Sequence, residues 1–123
     1  FFINRIKHTY VKRFKMGSKA NIYIDQGTDF RISLELFDGD DDDLVINTFS
    51  FFADLRKMYS SKRTAEFTIE KNENDITLVL EAEVTANLRP GKYEYDVLMR
   101  KSSGEMSKIV EGLAIVIPTI TEV

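Results

Sequence analysis

The chain has 123 residues, 17 Lys and Arg against 20 Asp and Glu for a net charge of -3, one His, and neither Cys nor Trp. A single domain of this length buries about two-thirds of its unfolded surface and needs no staple, and the missing cysteines exclude disulfides, Cys-ligated zinc, iron–sulfur clusters and a thiol nucleophile. At 43% hydrophobic and 30% charged residues the chain is not disordered by composition, and no apolar run approaches the ~20 residues of a membrane-spanning helix.

The charge is unevenly placed. Residues 1–24 hold Arg5, Lys7, Lys12, Arg13, Lys15 and Lys19 with no acid, so they carry +6, while the remainder sets 11 bases against 20 acids and carries -9. Residues 1–21 therefore read as an extended basic arm, and residues 22–123 as an acidic body. Charges recur every few positions through residues 1–16, so no secretory signal is expected there.

Beyond the arm, the apolar period is two wherever it is clear, which predicts strands. A short strand is expected at residues 22–25, followed by the Gln26-Gly27 turn. Residues 29–37 then alternate Phe30, Ile32, Leu34 and Leu36 with Arg31, Ser33 and Glu35, one face inward and one toward solvent. Residues 47–58 place Phe49, Phe51, Ala53 and Leu55 inward, with Phe52 the exception on a polar face. After a polar loop at 59–64, residues 66–71 turn Phe67 and Ile69 inward and residues 76–81 turn Ile76, Leu78 and Leu80 inward, with a hairpin turn at 72–75. One helical turn is expected at 85–88 before the Arg89-Pro90-Gly91 reversal. Residues 92–101 align Tyr93, Tyr95, Val97 and Met99. The last strand, 108–117, is apolar on both faces from Leu113 to Ile117, as in a central strand or a subunit contact; Pro118 ends it. About seven strands spaced near ten residues apart make an all-β, antiparallel two-sheet sandwich of immunoglobulin-like size, without the Cys and Trp of true immunoglobulin domains.

Few residues offer chemistry. Asp38, Asp40 and Asp42, in the run Asp38-Gly39-Asp40-Asp41-Asp42-Asp43, are at most a weak surface cation site. Counted from Asp38, the EF-hand positions six and twelve fall on Asp43 and Phe49 instead of Gly and Glu, and a solvated loop accounts for the run. His8 has no acid, Ser or Cys near it in sequence. There is no second His, no glycine-rich phosphate loop and no Gly-x-Ser-x-Gly elbow, and Glu81 and Glu83 sit where solvation explains them. No enzyme and no cofactor is expected. The arm interleaves Phe1, Phe2, Tyr10 and Phe14 with bases, which suits docking to an acidic neighbour better than nucleic acid, since the acidic body repels phosphate.

The run Ile24-Asp25-Gln26-Gly27-Thr28-Asp29-Phe30, then Leu36-Phe37-Asp38-Gly39, then residues 53–61 (ADLRKMYSS), 88–97 (LRPGKYEYDV) and 110–121 (VEGLAIVIPTIT) resemble a family of small virion structural proteins of contractile-tailed bacteriophages. Related N-terminal modules occur in phage baseplate and receptor-binding components. The resemblance covers about residues 22–121; the acidic loop after Asp38 and the arm at 1–21 depart from the family's pattern. It implies assembly without catalysis: a tail, baseplate, neck or capsid-surface protein of the virion, put together in the host cytoplasm, whose partners are other virion proteins and copies of itself, not a membrane. The interaction residues expected are Lys12, Arg13, Phe14 and Lys15 in the arm and Ala114 and Val116 on the last strand. The alternative is a carbohydrate- or cell-surface-binding module of a fibre or adhesin, for which Tyr59, Tyr93 and Tyr95 are the aromatic candidates; Tyr93 and Tyr95 fall in the inward register of their strand.

Overall fold

Period-two alternation forms strands, and the inward face of each sheet is apolar, while β4 and β9 also bury Ser33 and Thr77 on their other face. The computed structural model describes residues 11–15, 17–38, 42–43, 48–60, 62–72 and 75–121, with the backbone alone for 11–15, 37–38 and 42–43. In chain order the strands are β1 (Val11–Lys15), β2 (Ser18–Lys19), β3 (Ile22–Asp25), β4 (Phe30–Asp38), β5 (Asp42–Asp43), β6 (Ser50–Lys57), β7 (Arg63–Glu66), β8 (Thr68–Lys71), β9 (Asp75–Leu80), β10 (Gly91–Arg100) and β11 (Met106–Ile117); one helix, α1 (Ala82–Ala86), joins β9 to β10. One sheet runs β1-β4-β9-β8, with β5 beside β4. The other runs β2-β11-β10-β6-β7, with β3 also on β11.

The two sheets form a sandwich. Phe30, Ile32, Leu34, Leu36, Ile76, Leu78 and Leu80 from the first meet Ile22, Ile24, Ala53, Leu55, Tyr93, Tyr95, Val97, Met99, Ala114 and Val116 from the second in one apolar cluster. On the far side of the first sheet the hydroxyls of Ser33 and Thr77 hydrogen-bond at 2.8 Å, which satisfies two polar groups left only 6% and 3% exposed.

Eleven strands among the described residues exceed the seven expected. Two of the extra ones, β2 and β5, are two residues long. A third arises because the run expected at 66–71 is part of a longer stretch that changes sheets: β7 pairs with β6 and β8 pairs with β9. Phe67 sits at the crossing, its N–H donated to Ala53 and its ring against Phe30 and Tyr95 at 6.3 and 6.4 Å between centroids. Part of the stretch expected to be an extended arm is also paired. β1 pairs in parallel with β4, from Val11 opposite Ser33 to Lys15 opposite Phe37, and β2 pairs in parallel with β11. Residues 11–15 and 18–19 are thus sheet members, because the open edge at β4 offers backbone pairing that a count of charges does not register.

The helix lies at 82–86, earlier than the 85–88 expected. Its first amide, Ala82 N–H, is capped by the Asp29 carboxylate at 2.7 Å, and Thr85 Oγ1 donates to the Thr28 carbonyl; both partners come from the β3–β4 turn, 53 and 57 residues away. Just beyond, Tyr93 donates its hydroxyl to the Arg89 carbonyl at 2.7 Å. A tyrosine at the start of a strand bonding back to the preceding corner is the tyrosine corner of immunoglobulin-like sandwiches.

Candidate interaction surface

The last strand lies inside the six-stranded sheet, between β10 on one side and β2 and β3 on the other. Its pairing with β10 shifts register after Val97, so that Val110 opposes Val97 while Lys108 opposes Leu98, and Ile109 is the extra residue. The bulge lets the consecutive residues Ile109 and Val110 both bury fully. Beyond it, Gly112, Ala114 and Val116 face inward, and Glu111, Leu113, Ile115 and Ile117 face outward.

Cross-strand registers map the outer face of this sheet row by row. Ile117 lies beside Asp25; Lys92, Ile115 and Tyr23 form the next row; then come Arg56, Glu94 and Leu113; then Asp54, Asp96, Glu111 and Lys19; then Phe52, Leu98 and Lys108; and last Ser50, Arg100 and Met106. The middle rows form an open depression of about 550 Å³. In one of these rows three carboxylates, Asp54, Asp96 and Glu111, stand on adjacent strands, an unfavourable placement for like charges directly opposite. Cations offset it: Lys108 Nζ lies 3.8 Å from Asp96 and 3.5 Å from Glu111, and Arg63 Nε lies 3.1 Å from Asp54. Apolar patches occupy opposite corners. At one, Arg100 stacks over Phe52 at 5.0 Å from the ring centre. At the other, Tyr23 is 57% and Ile117 40% exposed, with Ile115 and Leu113 half-buried beside them.

Ala114 and Val116, expected at an interface, are instead 0% and 2% exposed and pack inside the subunit. The apolar run was even-handed in sequence, and the bulge decides which half of it faces the core. The outward half is Leu113, Ile115 and Ile117, half-buried or exposed. Lys12, Arg13, Phe14 and Lys15 lie on β1, opposite Leu34, Glu35, Leu36 and Phe37 of β4; their side chains lie outside the described residues. Asp38 and Asp42 are backbone partners on β4 and β5, while Asp40 and His8 lie outside the described residues. Among those residues no three acidic or histidine side chains come together to hold a metal ion, and no helix is long and apolar enough to cross a membrane. Tyr93 and Tyr95 are buried with bonded hydroxyls, as their register predicts. Tyr59 is 95% exposed at a positive φ of 61°.

One feature of the surface had only a faint sequence signal, a glycine in an apolar strand. The register of β2 and β3 on β11 is continuous, since Ser18 opposes Val110 and Ile22 opposes Ala114, yet the ladder breaks at Ala20. Regular parallel pairing would give the Ala20 carbonyl to Leu113 N–H. That carbonyl instead accepts the Tyr95 hydroxyl at 2.7 Å, and Leu113 N–H goes to the Asn21 side-chain oxygen at 3.1 Å. The carbonyl occupies the space of a side chain at 112: a Cβ built on Gly112 would lie 2.0 Å from Ala20 O.

No protein-family model matches the chain, and no curated protein does. Solved structures do. The N-terminal domain of phage TP901-1 ORF48 superposes with a TM-score of 0.59 at 11% identity, covering 88% of this chain and 97% of that one. An internalin-like protein of Listeria monocytogenes, lmo2027, gives 0.46 at 14% identity over 89% of this chain and 30% of its own. PbICP-C, solved in complex with falcipain-2, gives 0.47 at 14% identity over 88% and 99%. At these identities the likeness to the phage domain shows a shared fold.

Proposed function

We propose that this chain is a structural protein of a bacteriophage virion, acting without catalysis in particle assembly through protein–protein contacts in the tail, baseplate, neck or capsid surface. The observation that carries the reading is the correspondence of nearly the whole chain with nearly the whole of a phage protein's N-terminal domain. It agrees with the resemblance that residues 22–121 bear to phage virion proteins. The outer face of the β11 sheet supports it physically, with apolar corners for packing and a mosaic of both charges for register. The partners are other virion proteins and copies of the chain.

Mass spectrometry of purified particles tests the proposal, combined with disruption of the gene. The chain is expected in intact particles, and its loss is expected to arrest assembly at an incomplete form that the wild-type gene rescues. Complete infectious particles lacking the chain would overturn the reading.

A second reading, a carbohydrate- or cell-surface-binding module, has one observation in its favour: the exposed Tyr59 ring on a strained loop tip. Glycan-array binding that disappears in Tyr59→Ala would favour it over assembly.

A further inference from the structure

Strands β2 and β3 form an edge of the six-stranded sheet, and among the described residues no strand pairs with their outer side. Ala20 and Gln26 donate their N–H groups to Glu111 and Ile117 of β11. Apart from the Ala20 carbonyl, which turns to Tyr95 and tilts the peptide it shares with the Asn21 N–H, even-numbered residues of this edge turn their backbone polar groups toward β11, and those of Lys19, Tyr23 and Asp25 and the Asn21 carbonyl point away from the sheet. The side chains of the same four residues are exposed on the outer face, while Ile22 and Ile24 are buried. Sheet edges are usually blunted by proline, by an inward-pointing charge or by a covering element. Residues 18–25 contain no proline, and Ala20, Ile22 and Ile24 at the inward positions are uncharged.

We propose that this edge pairs with the same edge of a second copy of the chain, antiparallel about a two-fold axis at Ile22. In that register Lys19 of each copy faces Asp25 of the other, and Asn21 faces Tyr23. Apart from the Asn21 N–H, the backbone groups of all four point outward, so they meet as hydrogen-bonded pairs and join two six-stranded sheets into one continuous sheet. Opposite charges close both ends of the contact, as a self-complementary two-fold interface requires. Sliding the register by two residues sets Lys19 against Tyr23 or carries it past the strand to Gly27, and both ion pairs are lost. Within its own subunit neither Lys19 nor Asp25 has an ion-pair partner among the described residues. The Asp25 carbonyl already accepts from Thr28, so the end pairs rest on the Asp25 N–H and on the two side chains. Tyr23 stands beside Ile115 in register, so the contact extends the apolar corner of the outer face across the two-fold axis.

The inference rests on the edge and not on the virion reading: a dimer outside any particle upholds it, and a virion protein that stays monomeric overturns it alone. Sedimentation velocity across a wide range of protein concentration tests it, with circular dichroism to verify that each variant is folded. The wild-type chain is expected to dimerise with rising concentration. Asp25→Lys and Lys19→Asp each set like charges together and are expected to weaken the dimer at least about tenfold. The charge-swapped double variant Lys19→Asp/Asp25→Lys is expected to restore it. A monomer at every concentration, an oligomer indifferent to both single reversals, or a double variant no better than the singles would each overturn the proposal.

Discussion

Gly112 shows how one residue can be dictated by a neighbour 92 positions away in the chain. Its inward Cβ position is filled by the Ala20 carbonyl, which the Tyr95 hydroxyl holds there. Gly112→Ala drives a methyl into a backbone atom that cannot rotate away, and is expected to cost about 2–3 kcal/mol in urea unfolding as the β2–β3 edge lifts off β11. Tyr93 and Tyr95 test the buried hydroxyls from the other direction. Replacing either by Phe keeps the ring in the core but leaves a carbonyl without its donor, an expected loss of about 1–2 kcal/mol each in the same assay. Tyr59 behaves oppositely. It occupies left-handed backbone space while almost wholly exposed, so Tyr59→Gly removes strain with little packing to lose. A gain of about 1 kcal/mol is expected in urea unfolding.

Elements of this fold hold their places through their ends. The β7–β8 stretch bridges the two sheets, and Phe67 packs at the bridge between Phe30 and Tyr95. Phe67→Ala opens a cavity where both sheets meet, and a loss of about 3–5 kcal/mol is expected by thermal or urea unfolding. Helix α1, five residues long, is too short to persist alone; the Asp29 carboxylate and the Thr28 carbonyl hold it against the β3–β4 turn. This explains why its position was only partly legible. The turn residues around Pro90 announced a break in the strands, but the cap that sets where the helix begins is 53 residues away. The β11 bulge is a similar case: an unbroken apolar run does not say which residue is the extra one.

At the scale of the whole molecule the N-terminal segment is the least conventional part, since the basic stretch is also structural. Strands β1, β2 and β3 join both sheets, all by parallel pairing. Deleting residues 1–19 removes β1 and β2 and is expected to lower the urea midpoint markedly. A midpoint equal to that of the full chain would show that β1 and β2 add nothing to stability. Surface ion pairs, by contrast, add little to the fold. Arg63 and Asp54 are 53% and 29% exposed at the side chain, and pairs this open to solvent contribute roughly 0–1 kcal/mol.

The sequence by itself determined the class of the fold and most of its core. Alternating apolar residues commit a strand to one buried face wherever it is paired, so Phe30 to Leu36, Ile76 to Leu80 and Tyr93 to Met99 were legible without coordinates. Tertiary structure alone decided which strands pair, where β7 passes into β8, and that the basic stretch enters the sheets, because these depend on contacts between residues far apart in the chain. It also decided which half of the last strand is surface. Ala114 and Val116 went to the core and Ile115 and Ile117 to solvent because a single bulged residue, Ile109, shifts the pairing of the strand and lets two neighbours share the buried face.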